Sequence, residues 1–409
     1  MTKSEIKFHL VDNTDFHKSL EQVSTSVFHH KTMKQMFKIL DEPVDASVSI
    51  FKVLPKAGDG KAYYPFFLRE PFSLENIDFC KLIKKQHVQL MQEKKLIPLI
   101  CMLTESWVLF NFERNRKFRN SPYFNVINQL VQYGINEEDV VWLTCNKYHR
   151  PDPRIRAKFL HFDFFLEQQK ILKNQFMPLQ NIKHKFISLA RGVERHHRYA
   201  MTYELFKNDL LKHGAVSCSD YKNFSYQGQT SNTDDYMQTL ENFDIDSFGK
   251  FKKMLPLVID SATTKIVVPK HEAWQSPINL HQDGRDESHL FDNVFLNIVN
   301  ETHQPDELIF VTEKTYRSIN YCRPFVVNGD RGTLRYLKDM GFRTFDKFWD
   351  ESYDDATSDH VRIGKILEIT RQICAMDEKS LLNLYVDMVP TLEYNYKYLK
   401  NFEQWNQLN

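Results

Sequence analysis

Two short apolar runs separated by one well-delimited helical stretch constrain the fold of this chain more than any other feature. Ile97-Pro98-Leu99-Ile100-Cys101-Met102-Leu103 and Val140-Val141-Trp142-Leu143-Thr144-Cys145 each have the length and character of a buried strand. Between them, Ser121-Pro122 offers a capping residue followed by proline at the first helical position. Gly134 suits the left-handed residue that ends a helix. Strand, helix and strand in this order need a crossover connection, so the two strands should be parallel.

The second half repeats the alternation. Residues 185–190 read as a strand, and 196–213 as a helix with apolar positions at Tyr199, Leu205, Phe206, Leu210 and Leu211 and a stop at Gly214. Leu257-Val258-Ile259 and Ile266-Val267-Val268 are short candidate strands. Residues 308–311 read as a strand, Thr312-Glu313-Lys314 as a tight turn, the run to Cys322 as a helix, and 324–329 as a further strand. A short helix from Thr333 to Met340 is closed by Gly341. Helical patterns fill 161–173, 359–376 and 379–407, the last with a kink expected at Pro390. The stretch 147–158 is basic and punctuated by proline, and 218–250 is polar enough to read as a long loop or insertion. Residues 1–90 show no clear period. The expected architecture is α/β, with two facing doubly wound, Rossmann-like domains and long C-terminal helices. The expected divisions are an N-terminal acceptor-side domain over 1–178, a second domain over 179–376 and a closing helix over 377–409, with the linker near 175–183.

Composition removes several function classes. With 32 Phe and 18 Tyr the chain can bury a large core. A net charge of +1 gives no global pull toward nucleic acid or membrane, so any such attraction is local. No run of 18 apolar residues is present, and the N-terminus has no apolar leader, so a membrane span is not expected and a cytoplasmic location is. The 6 cysteines are scattered without a Cys-x-x-Cys pair, which favours reduced thiols over zinc or disulfides. Neither a Walker A loop nor Gly-x-Gly-x-x-Gly occurs, which speaks against a P-loop enzyme or a dehydrogenase.

The turn at 312–314 carries the chemistry. A helix start presents unpaired N–H groups and a positive dipole end, and so attracts anions. Lys314 adds a full positive charge where the dipole disfavours one, so a ligand is the better reason for it. Glu313 would repel phosphate but can hold a sugar hydroxyl. An acid beside a base at such a turn is what a nucleotide sugar requires.

Glu301-Thr302 followed by Val311-Thr312-Glu313-Lys314 resembles the Glu-Asn-Ser … Tyr-Val-Thr-Glu-Lys donor motif of α1,3-fucosyltransferases. Phe186-Ile187-Ser188, with Arg198-Tyr199 and Leu205 behind it, resembles the same family's strand, loop and arginine-led helix. Pro324-Phe325-Val326, Gly332-Thr333-Leu334, Gly341-Phe342-Arg343-Thr344-Phe345 and Asp350-Glu351-Ser352-Tyr353-Asp354 are similar to stretches in glycosyltransferase-like proteins of bacteria and their phages. The resemblance spans about residues 183–365, under half the chain, and departs from the fucosyltransferase pattern in having Thr rather than Asn-Ser after Glu301 and a gap to Thr312 about two residues longer. It implies the two-domain glycosyltransferase fold known as GT-B, a nucleotide-diphosphate sugar as donor substrate in the C-terminal domain, inversion at the anomeric carbon, and no metal or other cofactor. Carried over by position, Arg198 and Lys314 would hold the diphosphate, Glu313 the ribose, and Glu301 would stand close to the donor, with Thr312 in the same turn. The closing helix would return to the N-terminal domain.

Each candidate also has a plainer reading. Arg191, Arg195 and Arg198 are candidate diphosphate partners or surface ion pairs. His196-His197 is a poor metal pair, since adjacent helical residues diverge. Asp350 and Glu351 read equally as helix or turn charges. The catalytic base should come from the N-terminal domain: Glu105 follows the strand 97–103, with Glu113 as the other choice, and either reads equally as a cap or surface acid. Asp244-Ile245-Asp246 has the form of a metal-binding triplet but no preceding strand, so a turn is the better reading. Arg116 and Arg119 in 114–119, and Arg150 in 147–158, would line an acceptor's phosphates or form a solvated basic face. The acceptor is either a glycan or hydroxymethylcytosine in phage DNA, the latter needing base extrusion. The alternative from another class is a nucleic-acid-binding accessory protein with a degenerate transferase fold.

Overall fold

The computed structural model describes residues 8–11, 13, 15, 16, 19, 48–51, 61–68, 78–102, 122–145, 155–170, 176–190, 196–218, 244–257, 259, 288–302 and 309–403. They divide into two compact units, one up to Phe164 and joined by 402 and 403, the other from Phe165 to Asn401.

The first unit is built on a six-stranded sheet. Its strands are β1 (Phe8–Val11), β2 (Val48–Phe51), β3 (Lys61–Leu68), β4 (Ile97–Met102), β5 (Val141–Thr144) and β6 (Lys158–His161), in the order β2-β1-β3-β4-β5-β6. Every pairing is parallel. The helix α1 (Lys85–Gln92) precedes β4, and α2 (Pro122–Gln132) joins β4 to β5. The strand, helix and strand expected over 97–145 are therefore present, and Gly134 ends the connection at φ +76°. The core beneath this sheet holds Tyr64, Phe66, Phe79, Ile100 and Trp142, with Trp142 stacked on Phe159 at 5.7 Å.

Three strands fall in the part of the chain that shows no period. Pro65 lies inside β3 and faces Leu99 of β4, which breaks the usual sequence rule for a central strand. The basic stretch before residue 158 gives way to β6, which pairs Trp142 with Phe159. The helix expected over 161–173 is α3, Phe164–Lys170 among the described residues.

The second unit carries a four-stranded sheet of β7 (His184–Ala190), β8 (Gly214–Cys218), β9 (Val294–Asn300) and β10 (Phe325–Asn328), ordered β10-β9-β7-β8 and parallel throughout. Its helices are α4 (His196–Lys207), α5 (Ile245–Met254), α6 (Ser288–Phe291), α7 (Glu313–Asn320), α8 (Thr333–Asp339), α9 (Asp359–Ala375) and α10 (Glu378–Lys400). In both sheets the chain winds outward one way and then the other. The order reverses between β1 and β3 in the first and between β7 and β9 in the second, the places where open parallel sheets receive ligands. The chain is thus α/β with two parallel sheets.

Several expectations are corrected here. Residues 309–311 are not a strand, although Ile309, Phe310 and Val311 are buried. β9 lies between β7 and β10, and residues 309–311 pair with none of the four strands. The polar stretch 218–250 contains the end of β8 and the first part of α5. The helix expected over 196–213 is α4 as far as Lys207, followed by a 3-10 turn over Leu211–His213 that Gly214 caps while also opening β8. Residues 266–268 lie outside those described.

The helix that closes the chain packs within the second unit. Tyr385 Oη donates to the Cys322 carbonyl at 2.9 Å, Tyr398 Oη to that of Met340 at 2.7 Å, and Asn395 brackets Arg343 through both its backbone groups. The same helix also meets residues of the range expected for the N-terminal domain, 1–178: Tyr396 lies 6.0 Å from the Phe176 ring and Lys400 donates to the Gln169 and Lys170 carbonyls, all of which group with the second unit. Phe165 in α3 likewise meets Phe310 edge-on at 5.6 Å, so the division falls at 164/165, ahead of the stretch 175–183. Among the described residues, no helix is long and apolar enough to cross a membrane.

Candidate functional site

Strand β9 ends at Asn300, and the chain leaves the sheet as Glu301-Thr302 beside the end of β7, at the reversal of strand order. Two helices begin against this point. Arg198 is the third residue of α4. Its Nε and Nη2 donate to the Glu301 carbonyl, both at 3.3 Å, and Nη2 donates to Thr302 Oγ1 at 3.2 Å. His197 Nε2 meets the same carbonyl at 2.8 Å, which assigns the proton to Nε2 because a carbonyl only accepts.

The other helix is α7. Thr312 is its N-cap, with extended backbone and its hydroxyl accepting from the Lys314 amide at 3.4 Å. The Glu301 carboxylate reaches across to this turn. It accepts from the Thr312 amide at 2.8 Å, the Thr312 hydroxyl at 2.5 Å and the Thr315 hydroxyl at 2.9 Å. It also accepts from the Thr302 amide at 3.0 Å, and from Lys314 Nζ at 3.4 Å. Lys314 Nζ donates to Thr312 Oγ1 at 2.7 Å and lies 3.5 Å from Glu313 Oε1. The Lys314 side chain is 27% exposed, the Glu301 side chain 1%.

Arg198, Glu301, Thr312, Glu313 and Lys314 are therefore one cluster, gathered by residues 301 and 302. Two cations stand against two carboxylates, so these side chains carry no net formal charge. The charge needed to hold a diphosphate would come from Lys314 exchanging partners or from Arg191 and Arg195, which lie outside the described residues. Glu105, Glu113, Arg116, Arg119 and Arg150 also lie outside them.

A chain of amides underlies the cluster. Asn300 Nδ2 donates to Ser188 Oγ at 2.9 Å, and Asn328 Nδ2 donates to Asn300 Oδ1 at 2.9 Å and to the His197 carbonyl at 3.1 Å. Asn328 is buried and its Oδ1 accepts no hydrogen bond. These residues escape a reading of the sequence, because buried Asn in an apolar strand looks like an interruption. The available signal was position: Asn300 and Asn328 both end strands.

The remaining candidates have structural partners. Asp244 caps α5 through the Ser247 amide and pairs with Lys207 at 3.1 Å, so the Asp-x-Asp triplet is a helix cap. Both groups hold the Asp244 carboxyl below its usual range, the Ser247 bond most of all. Asp350 accepts from the Ser352 amide at 2.9 Å and from its hydroxyl. Glu351 accepts from Phe345, Thr344 and Lys338, yet burial pushes its carboxyl upward. The start of α8 is already filled by the protein's own Asp354, which accepts from the Leu334 and Arg335 amides. No group of three or more His, Cys, Asp or Glu side chains is placed to hold a metal among the described residues. The 6 cysteines are buried and none is joined in a disulfide.

No protein-family model, curated protein or solved structure matches this chain.

Proposed function

We propose that this chain is an inverting glycosyltransferase of the GT-B type that takes a nucleotide-diphosphate sugar in its second unit. One observation carries the reading: the starts of α4 and α7, each bringing a cation, converge on Glu301-Thr302 where the strand order reverses. The resemblance over 183–365 supports it independently.

In this reading Lys314 and Arg198 stabilise the charge that develops on the departing diphosphate, and Glu313 takes the ribose hydroxyls. The acceptor hydroxyl attacks the anomeric carbon from the opposite face and loses its proton to a carboxylate, with Glu105 the candidate. The acceptor is hydroxymethylcytosine in phage DNA or a glycan. Arg116, Arg119 and Arg150 are the candidate groups for its phosphates.

Titration calorimetry with UDP, GDP, CDP and ADP tests the donor half. Wild type should bind one of them, and Lys314→Ala should lose about tenfold or more in affinity, the scale of a charge-assisted contact. Equal binding by both proteins would remove the reading. Mass spectrometry of phage DNA and host glycans, after incubation with a panel of sugar nucleotides, identifies the acceptor.

A further inference from the structure

We infer that Glu301 is a positioning residue and a buried counter-ion of Lys314, alongside the neighbouring Glu313, and not a contact of the donor itself. The inference rests on the nucleotide-sugar reading above and specifies how that site is regulated. Three observations carry it.

The first is saturation. An ionised carboxylate offers about four lone-pair directions. Glu301 meets two backbone amides, two threonine hydroxyls and an ammonium. No acceptor capacity is left for a sugar hydroxyl. The second is burial. Glu301 is 1% exposed, and its carbonyl is clamped by His197 and Arg198, so the side chain is fixed from both ends. The third is asymmetry among the partners. Four donors are neutral: three belong to the first turn of α7 and one is the neighbouring Thr302 amide. Lys314 is the one full charge among them, and its side chain is exposed enough to reach solvent. Lys314 is the partner able to leave.

An arriving diphosphate carries more charge than a carboxylate and competes for the same ammonium. Glu301 thereby sets the affinity of the site. It holds Lys314 at the mouth of α7 when the site is empty, and a weakly charged anion does not displace it.

The test uses the full chain, with inorganic pyrophosphate and the four nucleoside diphosphates as probes. Glu301→Gln keeps the shape and removes the charge. It should bind pyrophosphate about five-fold more tightly than wild type, the scale of one partly exposed ion pair. In a Lys314→Ala background the same change should leave affinity unaltered. Weaker or unchanged binding by a folded Glu301→Gln variant overturns the inference.

A variant that does not fold leaves the wild type to decide. Amide exchange at Thr302 and Thr312, followed by NMR, should be as slow with saturating pyrophosphate as without it, because the carboxylate stays in place. Faster exchange at both amides on adding the probe means that Glu301 turns to the ligand, and sinks the proposal. A wild type that binds none of the probes removes the nucleotide-sugar reading itself. Binding with the wrong response at Glu301 removes only this inference.

Discussion

The carboxylate of Asp354 stands over the first turn of α8, with Oδ1 accepting the Leu334 amide at 2.9 Å. Its second oxygen takes the Arg335 amide at 3.1 Å. The preceding Gly332 is left-handed at φ +83° and has no side chain to cap with, so the cap comes from 20 residues downstream. Burial pushes this carboxyl upward while the two amides pull it down. Asp354→Ala should cost about 1–2 kcal/mol in urea denaturation, the range for a lost helix cap. Asp354→Asn keeps one acceptor and should cost less. Equal midpoints for all three proteins would mean that α8 does not depend on this contact.

Lys400 gives a pH dependence with a defined sign. At the end of α10, its Nζ donates to the carbonyls of Gln169 and Lys170, and burial pushes its pKa down to about 8. A lysine depressed in the folded state binds its proton less tightly there than in the unfolded chain. The cost of the buried charge is present below pH 8 and is relieved as pH rises toward the usual lysine range. Stability relative to Lys400→Met should therefore increase between pH 8 and pH 10 by about 1–2 kcal/mol, after allowing for partial solvent screening. A difference that is flat across that window would contradict the burial of Nζ.

Arg198 makes a forked contact that lysine cannot copy. Nε and Nη2 share the Glu301 carbonyl while Nη2 also reaches Thr302. Arg198→Lys should keep the charge and lose the fork. The expected outcome is a melting temperature lower by about 2–4 °C, and nucleoside diphosphate affinity weaker by about tenfold. Calorimetry and thermal melting read the two effects separately.

Gly214 is required by a neighbour rather than by its own backbone. Its φ is −123°, open to any residue, yet an added Cβ would stand 2.3 Å from Phe186, itself fully buried in β7. Gly214→Ala should destabilise by about 1–3 kcal/mol through overpacking. Phe186→Leu should recover part of that loss in the double variant, since the two sites touch. Additive losses would locate the strain elsewhere.

Legibility in the sequence followed how local each determinant is. β4, α2 and β5 stand out because apolar length, a proline start and a glycine stop all sit within a few residues. The α7 cap at Thr312 and the left-handed Gly341 were readable for the same reason. β3 escaped because Pro65 and a mixed pattern hide a strand whose place is set by β1 and β4. Residues 309–311 have strand composition and are buried, yet pair with no strand, which composition alone does not reveal. At the site, the cations and the cap were visible as residue types. Glu301 as their common partner was not, because its donors lie up to 14 positions away and meet only after folding.

The amide chain through Ser188, Asn300 and Asn328 has a consequence for assembly. β9 is buried at all seven positions, so neither face of its sequence says how far it should slide against β7 or β10. A slip by one residue would bring Val299 opposite Asn328 and leave three polar side chains in the core without the partners they now have. The asparagines act as an alignment key: hydrophobic collapse accepts many offsets, and they accept one, so β9 releases the chain level with the first turn of α4.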